Sequence, residues 1–317
     1  MICNIKDIEI NFAAGQQTLH EAAESLGLSG VETRMFDRFY GLRSFPHQDE
    51  ETIAEMTRPA LERLCERHPD LSGQVKHVVH CHTIPTVFPF GDHQIARQVT
   101  EIFGPQTEYA SYTMSHCATG LSVLDYVSAQ LDDDEYAIVL IAEKAFHRWV
   151  QLIPDTTIMG EVACAVLLSR NGDQFRITNN VTSRDGSFSL NSGYPEGTEQ
   201  NSFQDKYFTF TQSHIDYTLQ HSGLSWGDIK YLVPHNVNIS SWKQIAKNIN
   251  LPPDLLFLDN VSQYGHCFGA DPFINLKTLF ESGRLNPGDK VMLMTVGLGA
   301  TASSAIVECG EKIKLQF

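Results

Sequence analysis

Short apolar runs of strand length alternate with helical patterns along this chain, and no low-complexity linker interrupts them. Such alternation predicts a layered α/β fold, because helices of this kind pack over the sheet that they connect. In the first half, the pattern predicts strands at 75–81, 136–142 and 160–168 and helices at 50–67, 92–103 and 120–130. In the second half, it predicts strands at 231–234, 290–295 and 304–308 and helices at 210–222, 242–250 and 270–282. The irregular stretch 171–205 is the expected seam between two halves, 1–170 and 171–317.

Length and cysteine usage are typical of an intracellular enzyme. The chain has 317 residues, of which 42% are hydrophobic, enough for one large or two ordinary domains. Its seven cysteines are odd in number and irregularly spaced, which is typical of reduced thiols rather than of a disulfide framework. The sequence contains no secretory leader pattern and no apolar run of membrane-spanning length. We therefore expect a cytoplasmic protein without a membrane contact.

The formal net charge of −15 argues against nucleic-acid binding, which needs clustered basic residues to neutralise phosphates. A local basic patch can still bind an anionic carrier. For each of the basic residues named next, an ordinary solvated face is at least as good an interpretation. The candidates are Arg34, Arg38 and Arg43 near the start of the chain, and Lys243 and Lys247 on one helix face.

A thiol is the most informative single group. Cys117 stands where a segment rich in hydroxyl side chains passes into the helical pattern of 120–130. Amide groups at a helix N-terminus carry partial positive charge and stabilise a thiolate, which is a nucleophile. The small residues Ala118 and Gly120 leave room for a substrate, whereas the alternative interpretation is a buried structural cysteine.

Three segments of the second half are polar where a buried chain should be apolar. His235 and Asn238 follow a predicted strand end, the place where α/β sheets bind ligands. His266 lies in the glycine-bounded loop 260–271, and Gly299 in the small-residue segment 296–304, whose amides can approach a substrate oxygen. Taken together with Cys117, they predict an active site.

These motifs, in this order, resemble the thiolase-like condensing enzymes, most closely the β-ketoacyl-acyl carrier protein synthase III branch. The segment Phe39-Tyr-Gly-Leu-Arg43 is similar to the family's TGIR turn, and Phe88-Pro89 to its dimer-interface segment. The remaining matches are 160–168 with GDGAGAVVL, 228–238 with DIDWxxPHQAN, 264–266 with YGN, and 297–299 with a glycine triplet.

The resemblance implies a thiolase-like fold of two similar halves in an α/β/α/β/α arrangement, assembled as a homodimer or as half of a heterodimer. It implies that Cys117 accepts the acyl group and that His235 donates to a thioester oxygen. The amides of Cys117 and Gly299 would form the oxyanion hole, and Asn238 and Arg43 would help bind the thioester carrier. That carrier would be CoA or a phosphopantetheinyl acyl carrier protein, and no cofactor would be bound permanently.

One position departs from the family, since His266 stands where the family has Asn. Related elongating synthases use two histidines, so Claisen-type condensation in a specialised biosynthetic pathway is the leading hypothesis. A basic His266 would instead deprotonate an incoming nucleophile, which suggests a non-decarboxylating acyltransferase to a hydroxyl or amine. A third hypothesis is a silent partner subunit of a heterodimeric synthase, although the intact Cys117, His235 and Gly299 argue against it.

Three further histidines have open roles. His116 precedes the nucleophile and either touches the chemistry or packs behind it. His80 and His82 flank Cys81 on one face of a predicted strand, which suggests zinc. Because no further ligands follow at a typical zinc-site spacing, we expect no metal.

Overall fold

The computed structural model describes residues 3–83, 93–113, 115–188 and 198–314. The predicted dimer-interface segment Phe88-Pro89 lies outside them. The strands are β1 (Cys3–Phe12), β2 (Gln16–Thr18), β3 (Ser44–Pro46), β4 (Val75–Cys81), β5 (Glu108–Tyr112), β6 (Tyr136–Glu143), β7 (Leu152–Ile153), β8 (Thr157–Ile158), β9 (Val162–Ser169), β10 (Phe175–Arg184), β11 (Tyr231–Pro234), β12 (Lys290–Gly297) and β13 (Thr301–Cys309). The helices are α1 (Leu19–Ala22), α2 (Gly30–Met35), α3 (Ile53–Arg67), α4 (Gln94–Phe103), α5 (Thr119–Ser122), α6 (Leu124–Ala129), α7 (Arg148–Gln151), α8 (Thr198–Ser222), α9 (Ile239–Asn248), α10 (Val261–Tyr264) and α11 (Asp271–Glu281).

A mixed sheet of nine strands runs through the molecule in the order β11-β12-β13-β10-β1-β9-β6-β4-β5. The strands of the first half lie together at one end, and those of the second half at the other. They meet where β1 and β10 pair antiparallel, with Cys3 opposite Ile177. Within the halves, β4 is parallel to both β5 and β6, and β11 is parallel to β12.

Helices pack in three groups around these two sets of strands. The first half's strands carry α3 and α4 on one side, and the second half's strands carry α8 and α9. Between the two sets, one apolar cluster gathers residues of α5, α6 and α11 with residues of β1, β6, β9, β12 and β13. The order through the molecule is helices, first-half strands, helices, second-half strands, helices, with the two sets of strands joined in one sheet, so the predicted layered α/β architecture is confirmed.

The predicted strands and helices occur near their expected bounds, with one clear exception. The expected seam contains the ten-residue strand β10 and the beginning of α8, which starts at Thr198 rather than near residue 210. Polar residues occupy most positions of β10, and only Phe175, Ile177 and Val181 are buried along it. The prediction of irregular structure across 171–205 is therefore wrong for this strand.

Ends of strands bring the chemistry of both halves to one place. His235 follows β11 directly, and Cys117 follows β5 by a short connection. Its helical turn packs against the end of β12. Within the described residues, no helix is both long and apolar enough to cross a membrane.

Candidate active site

Cys117 lies in a 3-10 turn, His116–Ala118, that leads directly into α5. The thiol side chain is buried, and the Thr295 hydroxyl donates a hydrogen bond to the Cys117 carbonyl oxygen at 3.0 Å. Gly120 is small for packing rather than for substrate access, because a Cβ there would lie 3.2 Å from the Gly269 carbonyl oxygen. The predicted thiol at the start of a helical segment is thus present.

His266 is the side chain that contacts the thiol. Its Nε2 lies 3.2 Å from Cys117 Sγ, and its Nδ1 lies 2.5 Å from Asp271 Oδ2. The main chain of His266 is fixed by two hydrogen bonds to the segment before β9, one to Gly160 and one to Ile158, each 2.9 Å long. Thiol, imidazole and carboxylate therefore form a continuous relay held by backbone contacts.

The carboxylate of Asp271 is fully buried at the first residue of α11. Its Oδ2 also accepts from the Asn236 amide at 2.6 Å, and its Oδ1 accepts from the Cys267 amide at 2.8 Å. Two backbone donors and the helix N-terminus stabilise its negative charge. The Cys267 amide thus holds Oδ1, while Oδ2 accepts the hydrogen bond from His266 Nδ1–H.

Charge around His266 decides its protonation. Burial by itself would lower the pKa of His266, but the charge of Cys117 and the carboxylate of Asp271 outweigh burial and raise the pKa to about 10. An imidazolium therefore lies beside the sulfur at neutral pH. A positive group in contact with a thiol favours its thiolate, the form that attacks a carbonyl.

His235 is held differently. Its Nδ1 lies 3.5 Å from the Val296 amide, which can only donate, so this contact assigns the ring proton to Nε2. Nε2 lies 3.1 Å from the Tyr207 hydroxyl, and the Trp242 indole donates to the His235 carbonyl oxygen at 2.8 Å. Burial first, and then the nearby charge of His266, lower the pKa of His235 well below its usual value.

These groups face a cavity of about 250 Å³. The two imidazole rings lie 5.1 Å apart, centre to centre, beside the sulfur. Much of the rest of the wall is apolar, as is usual for pockets that bind small molecules. The described lining residues are Cys117, Ile153, Asp155, Thr156, Tyr207, Phe208, His235, Val237, Asn238, Ser241, His266, Val296, Gly297 and Leu298.

The three remaining predicted site residues, Asn238, Arg43 and Gly299, differ in their relation to the cavity. Asn238 lines the cavity, but its side chain caps α9 and donates to the Thr156 carbonyl oxygen at 3.0 Å. Arg43 is exposed, 3.5 Å from Asp37, and the described cavity lining does not include it. Gly299 lies beside the His116 ring, whereas a Cβ on Gly297 would come 3.3 Å from the Cys117 amide nitrogen. The oxyanion-hole role of Gly299 stays a prediction.

His116 adopts a left-handed backbone conformation, with φ of 48°, and burial lowers the pKa of its ring. The rings of His80 and His82 stack with their centres 4.8 Å apart. His80 contacts the Tyr109 hydroxyl and the Ala142 carbonyl oxygen. Among the described residues, no group of three His, Cys, Asp or Glu side chains is arranged to hold a metal ion.

Sequence reasoning missed Asp271 and Tyr207. Asp271 carries a readable signal, since it follows His266 by five residues and precedes a proline at a helix start. Tyr207 has no comparable signal, because helical periodicity does not say which side of α8 faces the cavity.

Comparisons with known proteins support the same architecture. Residues 219–309 match the family model described as the C-terminal part of 3-oxoacyl-acyl-carrier-protein synthase III. The chain is 34% identical over 90 residues to β-ketoacyl-acyl-carrier-protein synthase III of Clostridium beijerinckii, covering 28% of each chain. It is 24% identical over 197 residues to synthase III 2 of Vibrio vulnificus strain CMCP6, covering 56% of this chain and 54% of that one. The matched segments thus span only 28% to 54% of these relatives' lengths.

Solved structures match over nearly the whole chain. ChlB3, described as an acyltransferase, has a TM-score of 0.83 at 18% identity, covering 98% of each chain. The 3-oxoacyl-acyl-carrier-protein synthase III of Aquifex aeolicus VF5 has a TM-score of 0.78 at 17% identity, covering 96% of this chain and 99% of that one. Xanthomonas campestris OleA with bound cerulenin has a TM-score of 0.80 at 16% identity, covering 96% and 98%. At these identities the likeness establishes the fold.

Proposed function

Because this chain is a thiolase-like protein of the β-ketoacyl-acyl-carrier-protein synthase III type, we propose that it transfers acyl groups through a thioester on Cys117. The observation that carries the proposal is the relay from Cys117 through His266 to Asp271, with contacts of 3.2 Å and 2.5 Å. A thiol, a base and an orienting carboxylate in this order are the parts of an activated nucleophile.

In the first half-reaction, the Cys117 thiolate attacks the carbonyl carbon of an acyl-CoA or acyl-carrier thioester. The tetrahedral oxyanion collapses, the bond from carbon to the carrier sulfur breaks, and the carrier leaves as a thiol after taking the proton from His266 Nε2. Asp271 holds Nδ1–H throughout, so the imidazole that remains is neutral and has its basic nitrogen, Nε2, toward the acyl group.

In the second half-reaction, that basic nitrogen favours an acceptor with a removable proton. A hydroxyl or amine gives its proton to His266 Nε2 and attacks the acyl carbon, the bond from carbon to Cys117 sulfur breaks, and the thiolate–imidazolium pair is restored. Transfer to an oxygen or nitrogen nucleophile is therefore the reaction that the geometry supports best.

Claisen-type condensation is the second candidate, and the pair of imidazoles 5.1 Å apart favours it. Both nitrogens facing the cavity would then donate to the enolate that forms when a malonyl thioester loses carbon dioxide. This requires His266 to keep its Nε2 proton after Cys117 is acylated. The expected specialised pathway, the dimeric assembly and the choice between CoA and a carrier protein belong to this proposal as predictions.

The decisive experiment is intact-mass analysis after incubation with acetyl-CoA, octanoyl-CoA and their acyl-carrier counterparts, with Cys117→Ala as the control. We expect an acyl adduct on the wild-type protein alone. Addition of alcohols and amines should discharge the adduct with formation of an ester or amide. Discharge by malonyl-CoA with release of carbon dioxide would establish the condensation instead, and no adduct from any donor would contradict acyl transfer and favour the silent-subunit hypothesis.

A further inference from the structure

Tyr207 stands in the cavity at a position that the catalytic relay does not explain. It belongs to α8, and its hydroxyl lies 3.1 Å from His235 Nε2. Tyr207 lines the same cavity as Cys117 and His266. Its phenol therefore lines the cavity, at a place where no role in the relay is assigned to it.

The contact involves the nitrogen of His235 that a substrate would need. Nδ1 faces the Val296 amide at 3.5 Å, so Nε2 is the nitrogen left to point into the cavity. In a decarboxylating reaction, Nε2–H would donate to the carbonyl oxygen of the second thioester. Here the Tyr207 oxygen occupies that hydrogen-bonding position.

We infer that Tyr207 is a specificity-determining residue: its hydroxyl takes the place in front of His235 that a malonyl thioester oxygen would need, and so directs the site toward acceptors other than a decarboxylating thioester. The inference rests on the proposed acyl transfer through Cys117. It adds a reason why a malonyl thioester is disfavoured as the second substrate, compared with a hydroxyl or amine.

The chemistry of the phenol supports this role. Burial first, and then the charge of Cys117, raise the pKa of Tyr207, so the hydroxyl keeps its proton at neutral pH. A neutral hydroxyl accepts a hydrogen bond from His235 Nε2–H through its oxygen. Tyr207 thus engages the His235 donor itself, which makes that Nε2–H less available to a thioester oxygen.

The test removes only the hydroxyl, with Tyr207→Phe. The matched control is Tyr217→Phe, which makes the same change on the same helix at a side chain that is 48% exposed. Two rates are measured for each protein: formation of the octanoyl adduct from octanoyl-CoA by intact mass, and release of carbon dioxide from malonyl-CoA labelled in its carboxylate. In the second reaction the carboxylate carbon leaves as carbon dioxide, and the enolate takes a proton to give acetyl-CoA.

We expect Tyr207→Phe to form the octanoyl adduct within about threefold of the wild-type rate and to release carbon dioxide at least about tenfold faster. Tyr217→Phe should match the wild type in both rates. Equal decarboxylation by Tyr207→Phe and the wild type, with adduct formation intact, would overturn the role of Tyr207 while leaving acyl transfer in place. Absence of the adduct in the wild type itself would instead contradict the proposed function.

A second variant guards against a folding defect. Tyr207→Leu also removes the hydroxyl but changes the ring, and thermal unfolding of both variants shows whether the helix packs normally. Faster decarboxylation in both variants is expected. Faster decarboxylation in neither, for folded proteins, overturns the inference.

Discussion

Two histidines 5.1 Å apart in one cavity are held in opposite states. His235 has a backbone amide at Nδ1, a lowered pKa and a proton on Nε2. His266 has the Asp271 carboxylate at Nδ1, and its pKa is raised to about 10. The comparison shows that the partner of Nδ1 sets the role of Nε2. In His235, Nε2–H is a fixed donor; in His266, Nε2 can give up its proton and take it back.

The two environments are also physically linked. Asn236 follows His235 in the chain, and its amide donates to the same oxygen of Asp271 that contacts His266, at 2.6 Å. The Asn275 side chain extends the connection, since it donates to the Asn236 side chain at 2.9 Å and to the Pro234 carbonyl oxygen at 2.8 Å. Buried polar groups with complete partners hold a unique geometry, so each ring keeps its orientation.

The largest effect is expected from removing the ring of His266, the imidazole that contacts the Cys117 sulfur. His266→Ala should slow formation of the acyl adduct on Cys117 by about a hundredfold to a thousandfold at pH 7, since this step loses its proton donor and a positioned acid or base contributes about 10² to 10⁴ in rate. The measurement is the time course of intact mass with octanoyl-CoA. Alkylation of Cys117 by iodoacetamide should slow in parallel, because the thiolate loses its partner.

The matched control is His235→Ala, which removes the same ring on the other side of the cavity. If both variants slowed alkylation equally, the assignment of His266 as the group that activates Cys117 would be wrong.

A smaller effect is expected from the orienting carboxylate. Asp271→Asn keeps the shape and most of the hydrogen-bonding capacity but can present an amide group to His266 Nδ1, which removes the preference for a basic Nε2. We expect adduct formation to fall by about tenfold to a hundredfold at pH 7, with a smaller loss at higher pH. Rates measured from pH 6 to 9 test this, with thermal unfolding as the check on folding. A rate unchanged across that range would make Asp271 a structural residue only.

The third prediction tests the role of His235 as a hydrogen-bond donor. His235→Asn should leave iodoacetamide alkylation of Cys117 within about threefold of the wild-type rate, because His235 has no contact with the sulfur comparable to that of His266. Discharge of the preformed octanoyl adduct by an acceptor should slow about tenfold, because the Tyr207 hydroxyl in the cavity loses its hydrogen bond from His235 Nε2–H, and one hydrogen bond of about 1.4 kcal/mol corresponds to about tenfold in rate. The readout is adduct decay by mass. Loss of alkylation without loss of discharge would reverse the two assignments.

Cys117 was identified as a candidate because a hydroxyl-rich segment passes there into a helical pattern, and His235 because it directly follows a strand-length apolar run. The layered fold was predictable for the same reason, since apolar periodicity reports burial directly. Strand β10 was not predictable, because its runs of consecutive polar residues are typical of a loop, and only the pairing with β1 and β13 makes the segment a strand. Tyr207 and the choice between Gly297 and Gly299 depend on how separate elements dock, which local sequence does not encode.

The smallest expected effect is a change in the pKa of His266, and it tests why the pKa values of the two histidine rings differ. The charged groups that raise the pKa of His266 are Cys117 and Asp271. The charge of His266 in turn lowers the pKa of Glu143, although burial raises the pKa of that carboxyl to about 8. Cys117→Ala removes the largest cause that raises the pKa of His266, so the imidazolium, present in the wild type until the pH approaches about 10, should be lost at lower pH. Nitrogen chemical shifts of the labelled rings measure this directly. His235 serves as the internal reference, because its lowered pKa keeps it neutral across the same range, and an unshifted His266 would mean that Asp271 alone sets its charge.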